Sequence, residues 1–131
     1  MIGLDTNVLI RYLTEDDPSQ TALADAVMDS LTPEAPGFIS TVVIAEVVWV
    51  LERFYRFTKL ETIQTLETLL RSKELIVERA EIVVQALGNF RTGQSDFTDC
   101  LIERTGHAVG CRYTVTFDRG AASLPEMKLI S

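Results

Sequence analysis

The sequence predicts an α/β fold of three layers, α/β/α, in which helices cover both faces of a central, mostly parallel sheet of about four to five short strands. Three observations carry that expectation. Short apolar runs alternate with longer segments of helical period, the order that strand–helix–strand units produce. Ile2–Leu4 is a short apolar run, as strands buried on both faces are, and Tyr113–Phe117 is β-branched and aromatic. No repeat, low-complexity tract or linker interrupts the 131 residues, so a single domain over 1–131 is expected.

Ile2–Leu4 reads as a buried strand, and Asp5 or Thr6 can cap a helix reaching about Leu13. EDDP at 15–18 separates that helix from the next. There Asp17 serves as N-cap with Pro18 in the first helical position, and Ala22, Leu23, Ala26, Val27 and Leu31 keep a helical period. TPEAPG at 32–37 is a break. A second strand is expected over 37–40, then a helix from about Val42 to Tyr55 capped by Ser40 or Thr41. Thr58 and Glu61 have the spacing of a capping box, and Leu60, Ile63, Leu66 and Leu70 give the following helix one apolar side. Leu75–Val77 is strand again. Ile82, Val83, Ala86, Leu87 and Phe90 predict an amphipathic helix ending before the RTG turn at 91–93. Ser95 is expected to cap a helix to about Thr105; a strand over Tyr113–Phe117, a short helix near Ala121–Leu124 and a strand over Met127–Ile130 complete the order.

With 47% hydrophobic and 24% charged residues, the composition suits a folded domain. No apolar run reaches the roughly 18 residues of a membrane span, and the N-terminus has no leader pattern, so a cytoplasmic chain with no membrane partner is expected. Cys100 and Cys111 form no CxxC pair, and one histidine leaves no zinc set; the cysteines read as reduced, small apolar packers and His107 as a helix-end residue. The net charge of −7 argues against sequence-blind affinity for nucleic acid. A polyanionic substrate would need a divalent cation or a clustered basic edge.

Four acids, Asp5, Glu46, Asp99 and Asp118, stand in places that need a reason. Asp5 and Asp118 each follow a strand directly, where α/β folds bind ligands, although Asp also serves there as a cap or turn residue. Glu46 is the one charge in VVIAEVVWVL, which reads as a buried helix; a lone buried carboxylate needs a partner, either a core arginine such as Arg11 or, better, a metal. Asp96, Asp99 and Glu103 share one helical stripe. A solvated acidic face accounts for Asp96 and Glu103, whereas Asp99, between Phe97 and Cys100–Ile102, lies nearer the core boundary. As a set these carboxylates would repel one another in a cleft unless a hard cation sat among them. Mg²⁺ or Mn²⁺ takes a few carboxylate oxygens, keeps open positions for a phosphate and lowers the pKa of a bound water.

LDTNVLIRYL, FISTVVIAEVVWVL, DFTDCLIERTGHAVGC and YTVTFDR resemble, in order and spacing, the four acidic blocks of PIN-domain ribonucleases, and within these the VapC-type toxins of prokaryotic toxin–antitoxin pairs. The resemblance spans nearly the whole chain. It implies a PIN-like fold with metal-binding acids at Asp5, Glu46, Asp99 and Asp118, and Asp96 as an additional one. Thr6 and Asn7 would orient the first carboxylate, and Thr116 would do the same for Asp118. The family further implies an endoribonuclease dependent on Mg²⁺ or Mn²⁺ that cleaves RNA through metal-activated water, inhibition by a cognate VapB-like antitoxin, and a homodimer.

Among basic residues that could hold RNA, Arg119 beside Asp118 ranks above Arg11, Arg91 and Arg112, each of which could equally be a surface ion-pair partner. Trp49, Phe54, Tyr55 and Phe57 cluster near one helix end; core packing accounts for most of them, and an exposed patch would suit a dimer or an antitoxin helix. A non-catalytic PIN-like module binding RNA or protein is the alternative. Another acid-site phosphotransfer fold fits poorly, because Asp5 is followed by Thr6–Asn7 instead of a second acid, and the only late lysine is Lys128.

Overall fold

A computed structural model describes every residue from Met1 to Ser131, and the chain divides after Glu78 into two units, Met1–Glu78 and Arg79–Ser131. The first holds β1 (Ile2–Gly3), α1 (Thr6–Thr14), α2 (Pro18–Ser30), β2 (Gly37–Ile39), α3 (Thr41–Phe54), α4 (Lys59–Arg71) and β3 (Leu75–Val77). Its strands lie parallel in the order β1-β2-β3, with Ile2 opposite Gly37 and Phe38 opposite Ile76. Gly37 leaves room for two core leucines: a Cβ there would stand 2.8 Å from Leu4 Cδ1 and 2.9 Å from Leu31 Cδ1, and both side chains would have to shift.

Local chemistry starts the helices of this unit. The Asp17 carboxylate accepts from Gln20 N at 3.2 Å, one residue before Pro18 opens α2. Ser40 accepts from Val43 N, and the Thr58–Glu61 capping box is complete in both directions. Glu78, just past β3, accepts from Thr41 N at 2.8 Å and so ties the strand end to the start of α3. Leu9, Ile10, Ile39, Ile44, Val47, Leu51 and Leu66 form the fully buried centre.

The second unit holds α5 (Ala80–Thr92), α6 (Phe97–Ala108), β4 (Thr114–Thr116), a 3-10 turn (Ala121–Ser123) and β5 (Met127–Leu129). β4 and β5 pair in parallel, Val115 opposite Lys128. α5 packs on α6, with Val83, Ala86, Leu87 and Cys100 buried and the rings of Phe90 and Phe97 edge to face at 5.9 Å. The five strands thus form a ladder of three and a ladder of two, every pairing parallel.

Several expectations are corrected. α5 continues through Arg91 and Thr92 to Gly93. Asp96, not Ser95, caps α6; Ser95 is buried and its hydroxyl donates to Gly120 O at 2.7 Å. α6 passes through Gly106 to Ala108, because a mid-helix glycine costs only about 1 kcal/mol against alanine. In α2 the buried residues are Thr21 and Ala24, while Leu23 is 70% exposed. Thr21 reaches Arg11 O with its hydroxyl at 3.3 Å, and with small Ala24 it lets α2 approach α1 on that side. Leu60 is exposed on α4, and Cys111 is exposed, so only Cys100 packs as expected. No helix is long and apolar enough to cross a membrane.

Candidate functional site

In the first unit, Asp5 sits between β1 and α1 and accepts from Thr6 N at 2.8 Å, so it does serve as the cap of α1, through one amide. Thr6 is buried, and its hydroxyl donates to Glu46 Oε1 at 2.8 Å. One short residue therefore serves two carboxylates, its N–H binding Asp5 and its O–H binding Glu46. The sequence assigned Thr6 to Asp5 alone. No hydrogen bond joins Asn7 to Asp5; Asn7 instead lines a groove of about 260 Å³ with Val8, Arg11, Gln20, Leu23, Ala24 and Val27.

Glu46 was expected to be buried, and it is exposed. α3 buries Val43, Ile44, Val47, Val48 and Leu51 on one side and leaves Val42, Glu46 and Trp49 on the other. Its apolar residues run round the helix, but only one face is covered. Arg11 is not its partner. That guanidinium binds Asp16 at 3.1 Å, Gln20 at 2.6 Å and the Tyr55 hydroxyl at 3.3 Å. The Tyr55 hydroxyl holds the Asp16 carboxyl below its ordinary range, with Thr14 and the charge of Arg11 adding to it against the opposing effect of desolvation. On the outer side of α3, Trp49 and Phe54 meet edge to face at 5.4 Å with Arg53 over the indole at 5.5 Å. Core packing does not describe these two rings; Tyr55 and Phe57 are half-buried.

In the second unit, the Asp96 carboxylate accepts from Asp99 N at 2.7 Å, and Asp99 lies half-buried in the first turn of α6. Asp118 follows β4 and accepts from Gly120 N at 2.7 Å and Ala121 N at 3.2 Å. A Cβ at position 120 would sit 3.2 Å from that same carboxylate oxygen. Thr116 touches the backbone of Asp118 and not its carboxylate: Asp118 N donates to Thr116 Oγ1 at 3.0 Å. Arg119 is exposed beside it.

Electrostatics links these three acids. The Asp99 carboxyl is pushed up to about 6, first by desolvation, then by the negative charges of Asp96 and Asp118 and a hydrogen bond with Asp96. Carboxylate oxygens short of positive charge are the donor chemistry that a divalent cation takes. No three Asp, Glu, His or Cys side chains are arranged to hold an ion by themselves.

Glu103 is the residue the sequence misread. Expected on a solvated face, it is fully buried, paired with Arg104 and accepting from Glu126 N at 3.1 Å. The available signal was its place one turn beyond Cys100, itself fully buried on the same helix.

A family model for the PIN domain matches residues 2–127. The chain belongs to the PIN domain family. The three-layer α/β/α class of the PIN domain is accordingly its fold class. A VapC ribonuclease of Aquifex aeolicus (strain VF5) is 25% identical to it over 116 residues, 88% of this chain and 86% of that protein. The PIN match contains all five acids, from Asp5 to Asp118. Within this PIN domain, Thr6 links Asp5 to Glu46, and charge links Asp99 to Asp96 and Asp118.

Proposed function

We propose that this PIN domain is an endoribonuclease dependent on Mg²⁺ or Mn²⁺, a VapC-like toxin working as one domain over 1–131. The observation that carries the reading is Asp99, whose carboxyl is held up to about 6 by desolvation and by Asp96 and Asp118. A carboxylate so placed is unfavourable in the free protein and is relieved by a cation. The ribonuclease relative, matched over most of both chains, supports the choice of RNA.

On this reading Asp5 and Glu46 in the first unit, and Asp99 and Asp118 in the second, would supply oxygen donors to metal, with Asp96 as a fifth acid close to Asp99. When bound, the ion supplies the charge that offsets the phosphate and activates water for its hydrolysis. Thr6 holds the Glu46 carboxylate in one orientation, and the Gly120 and Ala121 amides do the same for Asp118. Arg119, exposed beside Asp118, contacts the phosphate backbone; Arg11, already engaged with Asp16, contributes less. The exposed outer side of α3, with Trp49 and Phe54, supports a homodimer or a VapB-like antitoxin as its cover. The protein is assigned to the cytoplasm.

Incubating the full chain with single-stranded RNA tests this reading. Discrete cleavage in Mn²⁺ is expected, with none in EDTA. Asp5→Ala is expected to lose more activity than the roughly 10–100-fold that removal of an outer hydrogen-bond partner costs. Undiminished cleavage by Asp5→Ala overturns the reading. RNA binding that persists in EDTA, with no cleavage in any metal, replaces it with a non-catalytic binding module.

A further inference from the structure

Glu103 has no role in the chemistry above, yet its surroundings are the most constrained of any acid in the chain. It is fully buried, and a buried carboxylate is retained at a cost of several kcal/mol unless its oxygens are satisfied. Both are: Oε1 pairs with Arg104, and Oε2 accepts from Glu126 N at 3.1 Å. On α6, Glu103 stands one turn beyond Asp99, so the two side chains leave the helix on the same stripe.

The Glu126 peptide bonds in both directions. Its N–H is taken by Glu103, and its carbonyl accepts from Thr114 N at 2.7 Å, the first residue of β4. β4 then runs in register with β5 to Thr116, whose hydroxyl accepts from Asp118 N. One sequence of bonds therefore connects α6 to the acid that follows β4. There is little slack beside it, because a Cβ on Gly106, in the next turn of α6, would stand 2.8 Å from Thr114 Oγ1.

We infer that Glu103 is a positioning residue: by holding the Glu126 amide it fixes β4, and with it Asp118, against the helix that carries Asp99. The inference rests on the metal-site reading proposed above. A buried ion pair that merely contributes to folding would change stability and leave cation affinity alone. A positioning residue changes affinity in a stable protein.

Two substitutions separate reach from charge. Glu103→Gln keeps one oxygen at the reach of the Glu126 amide while its NH2, a donor, replaces the charged oxygen opposite Arg104; Glu103→Asp keeps the charge and is one methylene short of the Glu126 amide. Calorimetric titration of the full chain with Mn²⁺ is expected to give affinity within about twofold of the parent for Glu103→Gln and about tenfold weaker for Glu103→Asp, in the range seen for outer partners of metal ligands. Circular dichroism shows whether each is folded. Parental affinity in Glu103→Asp overturns the inference while leaving the metal-site reading intact, and so does a loss in Glu103→Gln as large as in Glu103→Asp. A parent chain that binds no Mn²⁺ overturns both. Should Glu103→Asp not fold, amide exchange in the parent decides: Mn²⁺ is expected to slow exchange at Glu126 and Thr114, and unchanged rates overturn the inference.

Discussion

Asp99 shows how one side chain sets a pH dependence. Its carboxyl is raised from 3.8 to about 6, so the folded chain holds that proton more tightly than the unfolded chain does. Ionising it therefore opposes folding; the penalty is fully present above pH about 6 and disappears as pH falls toward 3.8. In EDTA, Asp99→Asn is expected to melt above the parent at pH about 7.5, with the difference shrinking by pH about 4. Thermal melts across that window check it, and the same variant should lose RNA cleavage. Thr6→Val removes the hydroxyl that Glu46 depends on. A stability loss of about 1 kcal/mol and a fall in cleavage of roughly 10–100-fold are expected, with Thr6→Ser close to the parent; denaturant titration and initial rates measure the two. Residue by residue, the sequence showed where the acids lie along the chain and not what faces them. Glu46 and Glu103 exchanged expected environments because burial depends on what packs from elsewhere in the chain: nothing covers the Glu46 side of α3, whereas the Glu126 amide meets Glu103.

Elements were more legible where their signal is local. The Thr58–Glu61 box, Pro18 after Asp17, and Ser40 before α3 each start a helix as read, since a cap involves only three or four neighbouring residues. Asp96 displaced Ser95 as cap because Ser95 has partners across the unit, at Gly120 and Ser123, which no local pattern contains. α2 was found as a helix with the wrong face inward. Periodicity identifies a stripe, and which stripe is covered is decided by what packs there. Gly106 offers a test at this scale. Alanine is the better helix former by about 1 kcal/mol, but its methyl would meet Thr114 Oγ1 at 2.8 Å. Gly106→Ala is expected to lose stability, by about 1–3 kcal/mol for overpacking before the helix gain is subtracted, with the loss read as a lower midpoint in denaturant.

For the whole molecule, the alternation of short apolar strands with helices was enough to give the α/β class, and all five strands and six helices stand in the expected order. Their partition into ladders of three and two was not legible, because strands two or three residues long carry no pairing preference of their own. The charge of −7 has a consequence for substrate binding. RNA affinity in EDTA is expected to be weak and to rise when Mn²⁺ is added, as measured by anisotropy of a labelled strand. Mn²⁺ alone at about 100 times its dissociation constant should stabilise the fold by about 2.7 kcal/mol. The outer side of α3 also gives the protein an optical property. Trp49 is the only tryptophan, 53% exposed, between Phe54 and Arg53. Its emission comes from a single wet indole, so a blue shift reports directly that this side of the helix has been covered, with no label attached.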